Sequence, residues 1–120
     1  MNHLEQLQAG LKQYQSGDLD KAEQRFRQVL ASDSDNYHAL NLLGMVCVNS
    51  RRPGEAVELI SKALDLKPPD PQAHANIALA CKDLGDYERA EKHLQHSVAL
   101  NAGNPRTWNN LGNVQRDLGK

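Results

Sequence analysis

The apolar positions of this chain keep a fixed schedule. Leu42-Leu43-Gly44 has counterparts at a constant offset of 34 residues, as Ala9-Gly10, Ile77-Ala78 and Leu111-Gly112. Small residues at Ala22, Ala56 and Ala90 repeat at the same interval, and so do bulky ones at Phe26, Ile60 and Leu94. Inside a period the apolar residues fall at helical spacing, with Val29 and Leu30 continuing the stripe begun by Ala22 and Phe26. Polar punctuation divides the stripes. Ser16-Gly17 stops a helix over 3–15, and Asp18 is placed to cap the next, over 19–31. A third helix is predicted over 37–49 and, after the turn Ser50-Arg51-Arg52, a fourth over 53–66, opened by a proline that suits a first helical turn. Pro68-Pro69-Asp70-Pro71 closes that unit, Leu84-Gly85-Asp86 separates the next two helices, and Asn104-Pro105 opens a seventh, over 105–119.

Self-similarity over a few tens of residues marks stacked units, each burying its apolar face against its neighbours. A small residue on each of two helices lets their backbones approach, and Gly44 is expected to face Ala56 across such a seam. This set of small position, downstream Ala and bulky residue four later resembles the tetratricopeptide repeat, whose period is also 34. Trp108, Leu111 and Gly112 reproduce that family's opening signature. Elsewhere Gln6, Leu40 and His74 take the Trp position, Gln13, Cys47, Cys81 and Gln115 the Tyr position, and the closing Pro survives only as Pro68, against Ser34 and Ala102. The resemblance implies an all-α right-handed solenoid of seven helices in one domain. It divides the chain into repeats over 3–36, 37–70 and 71–104 and a half repeat over 105–120. The unpartnered last helix, with Gly112 and Leu118 on its bare side, suggests an N-terminal fragment of a longer protein.

The net charge of -1 argues against a nucleic-acid surface, which needs a basic excess. No apolar run is long enough to cross a bilayer and no leader pattern opens the chain, so a soluble, cytoplasmic protein is expected. Cys47 and Cys81 stand one period apart, and the 8–10 Å between packed helix axes is wide for a disulfide, so buried free thiols are expected.

Catalytic signatures are missing: there is no phosphate loop, no nucleophile elbow and no paired nucleophile and base. The chain reads as no enzyme and needs no cofactor. His93 and His96 have the spacing of paired metal ligands, but on the repeat schedule both face solvent on an outer helix, and sequence places no third ligand near them. No metal is therefore expected. His74, at the Trp position, is assigned to packing, and Asp83 and Asp117 to exposed helix faces.

The better candidate is a surface. The resemblance implies that the first helix of each unit lines a concave face able to hold an extended peptide or a partner helix. Helical spacing then turns inward Leu7, Leu11 and Tyr14 in the first unit and Asn41, Leu42, Met45 and Val48 in the second. Asn76, Leu79 and Lys82 follow in the third, and Arg106, Asn109, Asn110, Asn113 and Arg116 in the last. The apolar members have a second reading as packing between adjacent helices. Two family precedents fit in part. The carboxylate clamp for chaperone tails is matched by Asn76 and Arg106 but not by Asn41, Met45 and Asn110; the asparagine ladder of O-linked N-acetylglucosamine transferases is matched by Asn76 and Asn110 but broken at Gln8 and Leu42. The expected function is thus a protein-interaction module. Its alternatives are the substrate-presenting arm of a larger glycosyl- or sulfotransferase, or an oligomerisation scaffold using the leucines or the last helix.

Overall fold

A computed structural model describes residues 2–67 and 70–120. The closing Pro68 and its neighbour Pro69 lie outside the described residues. Among the described residues seven helices follow one another: α1 (His3–Gln15), α2 (Leu19–Ser32), α3 (Tyr37–Asn49), α4 (Pro53–Leu66), α5 (Pro71–Asp83), α6 (Tyr87–Leu100) and α7 (Pro105–Asp117). No strand occurs among the described residues. Short turns return the chain after each helix, so successive helices pack side by side. α1 also approaches α3, α3 approaches α5, and α5 and α7 share core and pocket residues, so the odd-numbered helices lie along one side of the stack. The result is an all-α solenoid, 48 Å long and 25 Å by 23 Å across.

Local chemistry fixes each helix start. Asn2, Asp18, Asn36, Asp70, Asp86 and Asn104 accept hydrogen bonds from the free N–H groups of the helices they precede. Pro53, Pro71 and Pro105 occupy first-turn positions. Only α4 starts without a side-chain cap, at Arg52. The preceding residue is the other departure. Gly17, Gly85 and Gly119 take left-handed backbone after α1, α5 and α7, and at the same place after α3 stands Arg51, with φ 61°. A side chain there carries a cost of order 1 kcal/mol that glycine avoids.

The core is a ribbon in two linked parts. Ala22 and Phe26 of α2 meet Leu43, Val46 and Cys47 of α3 and Ala56 of α4. Further along, Ile60 joins Ile77, Ala78 and Cys81 of α5, Ala90 and Leu94 of α6, and Leu111 and Val114 of α7. Both cysteines are free and buried. The seam residue facing Gly44 is not chiefly Ala56, as the spacing suggested. A Cβ on Gly44 would lie 2.4 Å from Ile60 Cγ1, while Ala56 offers only its carbonyl oxygen at 3.6 Å. Ile60 sits one turn beyond Ala56 and arches over the glycine, so Gly44 is the hole for a bulky knob, and Ala56 gives the backbone its close approach. Gly10 receives Phe26 in the same way, with a Cβ 2.5 Å from Cε1.

Charged groups brace the stack from outside. Between α2 and α4, Arg52 Nη2 lies 2.6 Å from Glu23 Oε1, Arg27 Nη2 2.6 Å from Glu55 Oε1, Arg27 Nε 2.8 Å from Glu23 Oε2, and Arg52 Nη1 3.3 Å from Glu55 Oε2. The signs alternate around this ring. Hydrogen bonding from Arg52, reinforced by Arg27, holds the Glu23 carboxyl at about 2 against the opposing effect of burial.

Candidate peptide-binding trough

The wall of odd-numbered helices carries a trough with a volume of about 520 Å³. Tyr14 of α1 and Met45, Val48 and Asn49 of α3 form one side; Gln72, Ala75, Asn76 and Leu79 of α5 and Asn104, Pro105, Arg106, Thr107 and Asn110 at α7 form the other. The character changes along it. Tyr14, Met45, Val48 and Leu79 give an apolar end, whereas amides and the single charged lining residue, Arg106, dominate the other.

Asn76 is the informative side chain. It is 5% exposed. Its Oδ1 accepts from Gln72 Nε2 at 3.2 Å, which fixes the orientation of the amide, and its Nδ2 is buried with no hydrogen-bond partner. A buried N–H without an acceptor costs roughly 1–3 kcal/mol, and an incoming carbonyl oxygen would relieve that cost. Asn104 is committed elsewhere, since its Oδ1 caps α7 by accepting from Arg106 N at 3.0 Å. Asn49 donates to the Tyr14 hydroxyl at 2.8 Å and so ties α3 to α1 at the apolar end.

Of the residues turned inward by helical spacing, Met45, Asn76, Leu79, Arg106 and Asn110, with Tyr14 and Val48, line the trough. Leu42, like Leu7, instead packs against the core formed by α2, α3 and α4. Asn41, Lys82, Asn109 and Asn113 also lie outside the lining: Asn41 is half-buried, Asn109 is exposed, and Asn113 Oδ1 accepts from Arg116 Nη2 at 3.1 Å. Sequence reasoning missed Gln72, Ala75, Asn49, Asn104 and Thr107. The signal for Gln72 was present, because it stands one period before Arg106.

A second cluster lies away from the trough. His93 does not face solvent as expected: it is half-buried, and its Nδ1 is 3.0 Å from Nδ1 of His74, while His96, exposed as expected, stacks edge-on against His74 with ring centroids 5.1 Å apart. The helix pair turns this side of α6 toward α5, so the third imidazole that sequence did not place is His74. Burial lowers His74, with His96 adding to the effect, and burial takes His93 down to about 4, aided by His74, Arg89 and His96.

Comparison with known proteins agrees with the helix pairing. Residues 7–71 and again 71–104 match the tetratricopeptide repeat family. The peroxisomal targeting signal receptor of Eremothecium gossypii is 34% identical over 95 residues, which are 79% of this chain and 17% of the receptor. The chain thus spans about a sixth of the curated relatives it matches, the Candida albicans receptor giving 16%. Among solved structures, the first repeat domain of Spaghetti (RPAP3), bound to an HSP90 peptide, superposes with a TM-score of 0.93 at 19% identity, covering 98% of this chain and 94% of that one. An O-GlcNAc transferase of Thermobaculum terrenum gives a TM-score of 0.87 at 25% identity, covering 95% of this chain and 23% of the transferase. Among the described residues no helix is long and apolar enough to cross a membrane.

Proposed function

Because the chain belongs to the tetratricopeptide repeat family, we propose that it is a non-catalytic interaction module whose trough takes an extended peptide. The carrying observation is the buried, unpartnered Nδ2 of Asn76 beside the trough. An extended peptide presents a carbonyl to such a donor whatever its sequence. Specificity then comes from the two ends. Tyr14, Met45, Val48 and Leu79 favour an apolar side chain, and Arg106 favours a carboxylate, either a side chain or a C-terminus. The walls are built on helices, so little ordering cost opposes binding. Peptide recognition by related repeat domains, such as the RPAP3 domain with its HSP90 peptide, supports this reading.

The test is selection from a random peptide library, followed by affinity measurement on the selected sequences. Loss of the Asn76 donor removes one hydrogen bond, so Asn76→Ala should weaken binding roughly tenfold. Arg106→Gln should weaken carboxylate-bearing peptides and leave their amidated forms unchanged. If no peptide is selected, or if the selected peptides bind both variants as tightly as the parent, the trough assignment fails. A second reading, the arm of a larger glycosyltransferase, draws on the likeness to the Thermobaculum enzyme. Coding sequence after Lys120 decides it: a transferase domain supports the arm, and a stop codon or further repeats alone ends it.

A further inference from the structure

In the first and third units the fold brings three side chains together at equivalent places: one from the start of the inner helix and two, a turn apart, from the outer helix. In the first unit these are Gln6, Arg25 and Gln28, with Arg25 Nη1 3.0 Å from Gln6 Oε1 and Gln6 Nε2 3.1 Å from Gln28 Oε1. One period on, the same positions are Leu40, Leu59 and Lys62, and two periods on they are His74, His93 and His96. Three of the chain's five histidines therefore occupy equivalent positions of this triad in the third unit. One ring nitrogen from each lies within 4.8 Å of those of the other two.

We infer that His74, His93 and His96 form a binding site for a borderline divalent metal ion, of the zinc class, joining α5 to α6. Metal–nitrogen bonds of about 2.0–2.1 Å in a tetrahedral site put neighbouring ligand atoms about 3.3 Å apart. The 3.0 Å between the His74 and His93 nitrogens already meets that spacing. The remaining adjustment falls on His96, whose exposed ring is free to close by a side-chain rotation. An all-imidazole set suits zinc, copper, nickel or cobalt, and excludes calcium and magnesium, which take oxygen ligands. Three protein ligands leave a fourth position on the solvent side. The Asp70 carboxylate, which acts on His74, is committed elsewhere: its Oδ1 accepts from the N–H groups of Gln72 and Ala73, and its Oδ2 from the Tyr37 hydroxyl. Water, or a donor atom from a partner, takes that position. None of the three histidines lines the trough, so the site is separate from peptide binding.

The experiment uses the 120-residue chain, without a purification tag and stripped with a chelator. Zinc affinity is measured by competition with a chromophoric chelator, and geometry by the visible absorption of the cobalt form. The expected result is one ion per chain, micromolar or tighter, with the intense cobalt bands of a four-coordinate site. His96→Ala removes an exposed ligand without disturbing the core and should weaken zinc at least tenfold, with the helical circular dichroism unchanged. His93→Phe keeps the half-buried ring volume and should do the same. His3→Ala removes the histidine that lies 3.7 Å from Asp33 and should leave affinity as it was. Absence of stoichiometric binding, or binding in His96→Ala and His93→Phe equal to the parent, would overturn the site. Peptide affinity of the metal-free chain is read independently, so failure here does not touch the trough.

Discussion

Gly44 and Gly112 stand two periods apart, at the same place in their helices. At Gly44 an added Cβ would meet Ile60 Cγ1 at 2.4 Å and Cδ1 at 2.8 Å; at Gly112 nothing lies within 4 Å. A second pair of equivalent positions repeats the contrast. Glu23–Arg52 and Glu91–Lys120 are the same contact two periods apart, from an outer helix to the turn after the next inner helix, each with an N–O distance of 2.6 Å. Around Glu23, Arg27 and Glu55 complete a ring, whereas among the salt bridges Glu91 has Lys120 alone. The comparison teaches that the period specifies where a residue sits, while the constraint on it depends on what the facing helix brings there. Two identical letters then carry different energetic consequences.

The strongest way to break the comparison is Gly44→Leu. A large side chain cannot enter the space that Ile60 fills, and Ile60 is itself fully buried, so backbone must move. The expected loss is about 3 kcal/mol or more, beyond the usual range for overpacking, read as a fall in the urea midpoint. A loss under about 1 kcal/mol would mean that the seam opens freely and that the small position is not a steric requirement.

The third unit shows how the constraint can be relaxed. There the small position is Ala78 and its bulky counterpart is Leu94, and both are buried in one cluster. Gly44→Ala alone should cost about 1–3 kcal/mol. Combined with Ile60→Leu, which copies the third unit, part of that cost should return, as a coupling energy of at least about 0.5 kcal/mol in a double-mutant cycle. Strict additivity would show that Gly44 and Ile60 do not act as a pair.

Acid titration sharpens the second contrast. The Glu23 carboxyl is held at about 2, below the ordinary 4.5, so its stabilisation is complete above pH 4.5 and is lost as pH falls toward 2. Its side chain is 21% exposed, and solvent screening limits the effect to about 1 kcal/mol. Glu23→Gln should lower the urea midpoint at pH 7 and flatten its decline between pH 4.5 and 2. Glu91→Gln should change both less, because one lysine and the neutral amide of Gln115 support that carboxylate in place of two arginines.

Much of this was legible in the sequence because the helices are punctuated by side chains that act locally. Asp18, Asp70, Asp86 and Asn104 cap whichever helix follows, and Pro53, Pro71 and Pro105 open theirs, so the helix starts fall at the expected residues. Packing across helices was read less well. Asn76 and Arg106 could be placed at the trough by helical spacing once the resemblance had assigned the first helix of each unit to it, but Leu42, one period before Asn76, packs its half-buried apolar side chain against the core. A periodic template cannot tell these apart, since side-chain chemistry decides which way a boundary position leans. The histidine cluster was missed for a related reason. His93 follows the buried Ala90 by three residues and so flanks the buried stripe, but its partner comes from a helix 19 positions earlier.

Gly112→Ala is the smallest test and the most direct, because its sign is opposite to that of the same change at Gly44. Glycine in the interior of an exposed helix costs roughly 0.5–1 kcal/mol relative to alanine, through backbone freedom lost on folding. At Gly44 the clash outweighs that gain, whereas at Gly112 no facing atom lies within 4 Å to oppose it. The substitution should therefore raise stability by about 0.5–1 kcal/mol, seen as an upward shift of the thermal midpoint with no change in helix content. A destabilised Gly112→Ala chain would mean that the exposed side of α7 is covered in solution, and self-association measured by light scattering would then identify a second copy as the cover.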